Sequence, residues 1–247
     1  MPATVTCKNC SKQYQGHFCP QCGQSAHTER IGLAYFMHDI PHSVFHIDKG
    51  FFYTLKWMFK SPGTSIKEYL EGKRAKHYRP FAYVILMSTI CTLLVPFIEK
   101  LTYYQVHHIF PKHIELVFFQ RYFSLLIFLL IPFLSLVTWL FFKNKGYNYW
   151  EHFLGNTFMA AQLNVVILAL KLVNLVKVSM GFEEGTKFTI FMIIFMFYYS
   201  YAFKNWMKPY KGKMGLFWRL FFMNICLVFI YLNAFVLVGI MYPWWKG

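Results

Sequence analysis

Charged side chains are scarce in this chain, 14% of its 247 residues against roughly 25% in ordinary soluble domains. A water-soluble domain of this length needs a charged surface, so the shortage excludes most soluble classes. Acidic residues are scarcer still, 10 against 25 basic ones, and the formal net charge is +15. Between Met1 and Arg30 there is no apolar stretch of signal-peptide length, so a cleaved leader is not expected. The even scatter of cysteines found in secreted disulfide scaffolds is missing as well. Four of the six cysteines fall within the first 22 residues, and Cys91 and Cys226 stand alone in apolar runs. There is no repeat at a solenoid period, no low-complexity linker, and no tandem His-x-x-His-His box of the di-iron membrane hydroxylase kind.

Apolar sequence is abundant. Hydrophobic residues make up 57% of the chain, aromatics 21%, and the mean hydropathy is +0.36. From Phe81 onward the chain is a series of apolar runs, 81–98, 122–142, 153–175, 187–203 and 217–243, separated by short polar loops. A helix needs roughly 20 residues to cross the ~30 Å hydrocarbon core, and open strands cannot cross it because their backbone groups would go unpaired. The expected fold is therefore an all-α integral membrane protein of about five transmembrane helices.

The basic residues set its expected orientation. Lys8, Lys12, Arg30, Lys49, Lys56, Lys60, Lys67, Lys73, Arg74, Lys76 and Arg79 precede the first run. Lys143 and Lys145 follow the second, and Lys204, Lys208, Lys211, Lys213 and Arg219 follow the fourth. An N-terminus in the cytoplasm puts all of these inside and leaves Lys100, Lys112, Arg121, Lys177, Lys187 and Lys246 outside. A multi-pass protein of the cytoplasmic membrane, with its C-terminus outside and Trp244 and Trp245 at the interface, is the consistent solution. Because the charge lies beside membrane segments, its expected partners are anionic lipid headgroups. The lack of a recognisable binding fold argues against nucleic acid.

The clearest chemical motif is Cys7-x2-Cys10-x8-Cys19-x2-Cys22. Each C-x2-C pair can form a knuckle that aims two sulfurs at one ion, and two knuckles close a tetrahedral thiolate cage suited to structural zinc. Pro20 stiffens the second knuckle, and Gly23 permits the left-handed backbone that often follows one. A segment this small lacks a core, so metal would supply its folding free energy, about 10–16 kcal/mol in comparable sites. Disulfides suit an extracytoplasmic head, whereas the charge distribution places this one in the reducing compartment. Four thiolates fill the shell, so His17 and His27 are not needed as ligands and catalysis at this metal is not expected.

Between head and bundle, Gly50 to Lys60 reads as an amphipathic helix, with Phe51, Phe52, Leu55, Met58 and Phe59 on one face and Lys49, Tyr53, Lys56 and Lys60 opposite. Ser61-Pro62-Gly63 breaks it, and a second helix is expected from Thr64 to Gly72. The basic string Lys73 to Arg79 would then sit among headgroups. His38, His42 and His46 recur every four residues with Asp39 and Asp48 nearby, a second metal-site candidate, although Pro41 disfavours a continuous helix there. The third apolar run carries Asn156, Ala160, Asn164, Lys171 and Asn174 on one helical face, with Glu151 and His152 at its start. Polar groups are costly in lipid, so this face should point into the bundle, as packing contacts or as a polar membrane path.

Several stretches resemble a family of bacterial membrane proteins, common in Bacteroidetes, known as a domain of unknown function. They are the four-cysteine segment, which has the Phe-Cys-Pro-x-Cys-Gly form at Phe18 to Gly23, together with residues 45–55, 61–84, 147–154 and 197–207. In such proteins a Pro-Gly turn, a Glu-Tyr-Leu-x-Gly-Lys-Arg string and a Glu-His pair recur in this order, here at Pro62-Gly63, Glu68 to Arg74 and Glu151-His152. The residues divide into an expected zinc ribbon over 1–30, an amphipathic connector over 31–79 and a transmembrane helix bundle over 80–247; the resemblance supports that fold and the ribbon and implies no activity. The leading functional expectation is an inner-membrane scaffold or regulator that presents the ribbon to a cytoplasmic protein partner. A channel, transporter or membrane-permeabilising effector, for example an accessory of a defence system, is the alternative, and a metal-dependent membrane enzyme comes third. The reading leans against an enzyme, and it leaves monomer and oligomer open.

Overall fold

The computed structural model describes residues 4–42, 50–108, 118–176, 184–209 and 212–245. A small head comes first, with strands β1 (Val5–Thr6) and β2 (Gln13–Tyr14) paired antiparallel so that Val5 faces Tyr14. The helices α1 (Leu33–His42), α2 (Gly50–Lys60) and α3 (Pro62–Leu70) form a collar. Five long helices follow, α4 (Pro80–His107), α5 (Phe118–Phe142), α6 (Tyr149–Val176), α7 (Glu184–Trp206) and α8 (Lys213–Trp245). Proline starts both α3 and α4, where its fixed φ suits the first turn and its missing N–H costs nothing. α1 continues through Pro41, contrary to the break expected there; so close to the helix end, proline forfeits only one backbone bond.

Cross-helix partners fix how the long helices run. Tyr83 meets Gln162, Ser88 meets Asn164 and Glu99 meets Lys171, so α4 and α6 lie parallel. α5 lies antiparallel to α6, since only residues 143–148 join them and Thr138, near the end of α5, meets His152 and Asn156, near the start of α6. α7 and α8 are antiparallel through Ser200 with Asn224 and Phe195 with Tyr231. α4, α6 and α8 thus leave from the head end of the bundle, and α5 and α7 return to it.

Among the described residues, four helices are long and apolar enough to cross a membrane: α4, α5, α6 and α8. The fourth expected run, residues 187–203, lies in α7, which is not one of the four. Tyr198, Tyr199, Ser200, Tyr201, Lys204 and Asn205 dilute its second half. Its course nevertheless matches theirs. The Trp206 ring meets Gly155 near the start of α6, α7 begins eight residues after α6 ends, and its 23 residues rise about 34 Å.

The collar is packed into the head end rather than laid across it. α2 descends until Tyr198 Oη donates to Met58 O (3.2 Å) and Tyr201 Oη donates to Lys60 O (2.8 Å). α3 then climbs back along α7, and Ile66 is fully buried. The turn between them is tight: a Cβ on Gly63 would stand 2.0 Å from Ala202 O and 2.5 Å from Trp206 N. A Cβ on Gly155 would meet the Trp206 ring at 2.5 Å. The α2 pattern needs a correction. Its inner face is Phe51, Thr54, Leu55 and Met58, while Phe52 and Phe59 face outward beside Lys56 and Lys60. The inner side therefore includes Thr54, whose Oγ1 accepts the Tyr78 N–H (2.7 Å) as the chain turns into α4.

These close approaches predict that Gly63→Ala and Gly155→Ala each lower stability by about 1–3 kcal/mol, the usual cost of overpacking, read as the melting temperature of detergent-solubilised protein. A Gly63→Ala variant that melts like wild type would show that α3 does not lie against α7.

Candidate functional site

The head has a single chemical feature. The Sγ atoms of Cys7, Cys10, Cys19 and Cys22 all lie within 4.8 Å of one another, with Cys7–Cys22 and Cys10–Cys19 each at 3.5 Å. None is in a disulfide. The knuckles are closed by backbone bonds, Ser11 N–H to Cys7 O (2.9 Å) and Gly23 N–H to Cys19 O (2.8 Å), and left-handed Ser11 and Gly23 complete the turns. The thiols do not ionise alike. Burial raises Cys22, but hydrogen bonds from Asn9 and the Gln24 backbone bring it down to about 7. The Lys12 backbone lowers Cys10, but burial and the neighbouring thiols push it up to about 12. Like charges this close cannot all form without a cation between them, so the four-sulfur cage can hold a metal ion.

The head is tied to the bundle. Gln24 Oε1 accepts the N–H groups of Arg74 (3.0 Å) and Ala75 (2.8 Å). Arg74 donates through Nη2 to Glu29 O (2.8 Å), and its guanidinium lies over the rings of Tyr35 (5.0 Å) and Tyr69 (5.3 Å). Arg30 then forks onto Glu151 at the start of α6, Nε to Oε1 and Nη2 to Oε2, both 2.9 Å, and Nη2 also reaches Gly146 O (2.6 Å). Glu151 belongs to a capping box, in which its N–H bonds Asn148 Oδ1 (2.8 Å) and its Oε2 accepts the Asn148 N–H (2.7 Å). Asn148 Nδ2 donates to Ile31 O (2.9 Å), and Phe36 of α1 sits among Phe81, Trp150 and Phe153.

The proposed polar stripe of α6 turns out to face other helices. Asn156 is fully buried and its Nδ2 donates to Thr138 Oγ1 of α5 and to His152 O, both 2.9 Å. Asn164, also fully buried, donates to Ser88 Oγ of α4 (3.0 Å). Lys171 pairs with Glu99 of α4. Asn174 is half-buried. Of the second metal-site candidate, His38 and His42 lie in α1 but their side chains, like His46, fall outside the described residues.

Sequence reasoning passed over several of the residues that join the parts. Arg30 counted only as a positive charge, and Gln24 was not singled out. The Asn148-x-x-Glu151 capping signature was readable in advance. His77 was hidden in the basic string. It is buried, with Nδ1 against Lys73 O and Nε2 accepting from Ser65 Oγ, both 3.0 Å.

With fold and site described, comparison with known proteins places only part of the chain. A family model described as "Protein of unknown function (DUF3667)" matches residues 48–92, which cover α2, α3 and the first half of α4. Neither the curated proteins nor the solved structures contain a match to the chain. The matched stretch is the collar hairpin that plugs the head end, together with the helix it leads into.

His77 gives a pH prediction. Burial, with a smaller contribution from the nearby Lys76 charge, outweighs the opposing hydrogen bond to the Lys73 carbonyl and lowers His77 from 6.5 to about 4. Between these values the unfolded chain binds the proton and the folded one does not, so stability is full above pH 6.5 and falls as pH drops toward 4, by up to about 3 kcal/mol. Melting temperatures from pH 7 to 4 should show a slope that His77→Gln flattens. An equal slope in the variant would place the titrating group elsewhere.

Proposed function

We propose that this protein is a scaffold or regulator of the bacterial inner membrane, in which a zinc ribbon presents a rigid cytoplasmic surface to a protein partner. The observation that carries the reading is the rigid seat of the head. Gln24, Arg30 and Arg74 hold it on the collar and on the start of α6, so an event at the head acts directly on the bundle. Zinc suits the four-thiolate shell, in which each sulfur would lie about 2.3 Å from the metal. The chain crosses five times, since α7 must return it to the head end before α8 can leave. The basic residues at that end support a cytoplasmic head and anionic headgroups as neighbours of the collar.

Purified protein should contain one zinc per chain. Cys7→Ser or Cys22→Ser should lose the metal and a cytoplasmic partner recovered by crosslinking in cells, while still fractionating with the membrane. If the partner is retained by both variants, the scaffold reading fails.

A second reading, a polar path through the bundle, draws on buried polar atoms without a hydrogen-bond partner, among them Asn164 Oδ1, Gln162 Nε2 and Tyr231 Oη. Lipid cannot satisfy them, so a wet interior would. Proteoliposomes decide between the readings. Ion or small-solute flux that disappears when Asn164 and Lys171 are both replaced by Leu would establish the path, and flux no higher than that of empty vesicles would leave these residues as interhelical contacts.

A further inference from the structure

At the head end, an open cleft of about 340 Å³ is lined by Arg30, Leu70, Glu71, Lys145, Gly146, Tyr147 and Glu151, a volume at the lower end of the range for ligand sites. Three separate segments meet there: the strap leaving the head, the end of α3, and the turn from α5 into α6. Its walls are fixed before any ligand arrives. Glu151, with 5% of its side chain exposed, is held by Arg30 and by Asn148 N–H. Lys145 is anchored by its donation to Pro209 O (2.7 Å). Tyr147 packs its ring 5.4 Å from Trp206 and 6.4 Å from His152. Behind it, His152 Nε2 is buried with no hydrogen-bond partner.

The charges in the cleft are of both signs and are not all spent on one another. The Glu151 charge is matched by Arg30, yet the Arg30 side chain is 63% exposed, so the guanidinium still presents an edge outward. Glu71 is half-exposed and pairs only loosely with Lys67, at 3.9 Å. Lys145 stands at the lip. A simple anion would be drawn to Lys145 and Arg30 and repelled by Glu71, and a simple cation would meet the reverse. A molecule carrying a phosphodiester beside a primary ammonium meets both. The ammonium matters because its N–H groups can donate to a carboxylate, which a quaternary nitrogen cannot. The cleft also lies where α5 ends and α6 begins, the level of the headgroups if these helices span the bilayer.

We infer that this cleft binds a zwitterionic phosphoester of the ethanolamine type, with its phosphate toward Lys145 and the outer edge of Arg30 and its ammonium toward Glu71. The shared chemistry is phosphoethanolamine, supplied either by a lipid headgroup of the adjoining leaflet or by the free compound. This inference requires membrane insertion but neither zinc nor a protein partner, so it can fail while the scaffold reading survives, and the reverse.

The test uses the full chain, incubated in detergent with equal amounts of phosphatidylethanolamine, phosphatidylcholine and phosphatidylglycerol, repurified, and analysed for retained lipid by mass spectrometry. Phosphatidylethanolamine should be enriched about threefold over both others, the scale of a partly exposed charge pair. Glu71→Gln and Lys145→Gln should each return the ratio to that of the mixture, and unchanged melting temperatures would show that both variants fold. Displacement of the retained lipid by soluble phosphoethanolamine would assign recognition to the headgroup alone; failure to displace it, with the enrichment intact, would assign the site to the membrane lipid. Equal retention of phosphatidylcholine, preference for phosphatidylglycerol, or enrichment that survives both substitutions overturns the inference.

Discussion

Lipid offers a protein no hydrogen bonds, and in this bundle, four of whose helices are apolar enough to cross a membrane, the polar side chains find one another. That constraint accounts for the helix contacts more directly than apolar packing does, because acyl chains solvate leucine and phenylalanine about as well as another helix would. Thr138 of α5 receives Asn156 and His152 from α6, Ser88 of α4 receives Asn164, Tyr83 of α4 reaches Gln162, and Glu99 of α4 takes Lys171. Each of these links pins one helix at a defined height against another. The sequence of heights makes α4 and α6 parallel, and the short connection from α5 to α6 makes α5 antiparallel to both. On α8, which has the smallest buried share of the four apolar helices, most of the large described side chains are exposed.

The same economy operates at the head end. The head is too small to have a core of its own beyond Cys7, Tyr14 and Cys19. It is stabilised instead from two sides, by its four sulfurs and by the backbone and side-chain groups that the collar lends it. Arg74 shows how far this goes: in one residue it supplies a backbone donor to Gln24, a side-chain donor to Glu29 and Tyr69, and a cation over two aromatic rings. A basic residue that would serve as a headgroup contact on a free surface is here an internal strut. The collar hairpin is in turn locked by the close approach of Gly63 to α7, so head, collar and bundle form a continuous chain of contacts from the cysteine cage to Trp206. The stretch matched by the family model lies in the middle of that chain.

Each part of this arrangement left a different kind of trace in the sequence. Residue spacing carries local information, and the features that depend on spacing were legible: the C-x2-C knuckles, the extent of α2, the positions of the long apolar helices, though α4 runs nine residues past the expected end at 98, and the polar face of α6. What α6 faces was not legible, because Asn156 and Asn164 read the same whether they meet water or Thr138 and Ser88. The outer face of α2 was misjudged for a related reason. Phe52 and Phe59 fit an apolar stripe by periodicity, but Thr54 is on the inner side because Tyr78, far along the chain, needs an acceptor there. α7 sits between these cases, since its tyrosines lower its apolarity while two of them, Tyr198 and Tyr201, are bonded to backbone carbonyls of α2.

The amino-acid order by itself determined that the chain is helical and suited to lipid, that four thiols gather near its start, and that positive charge collects at one end of the apolar helices. These are properties of composition and short-range period, which survive whatever the distant contacts turn out to be. Only the tertiary structure decided that Arg30 reaches Glu151 across 121 positions, that His77 is buried against Ser65, and that charges of both signs share one cleft. Those outcomes depend on which helices lie side by side and at what height. That is settled by the sum of many small packing and hydrogen-bond terms spread over the whole bundle, and no local window of sequence contains it.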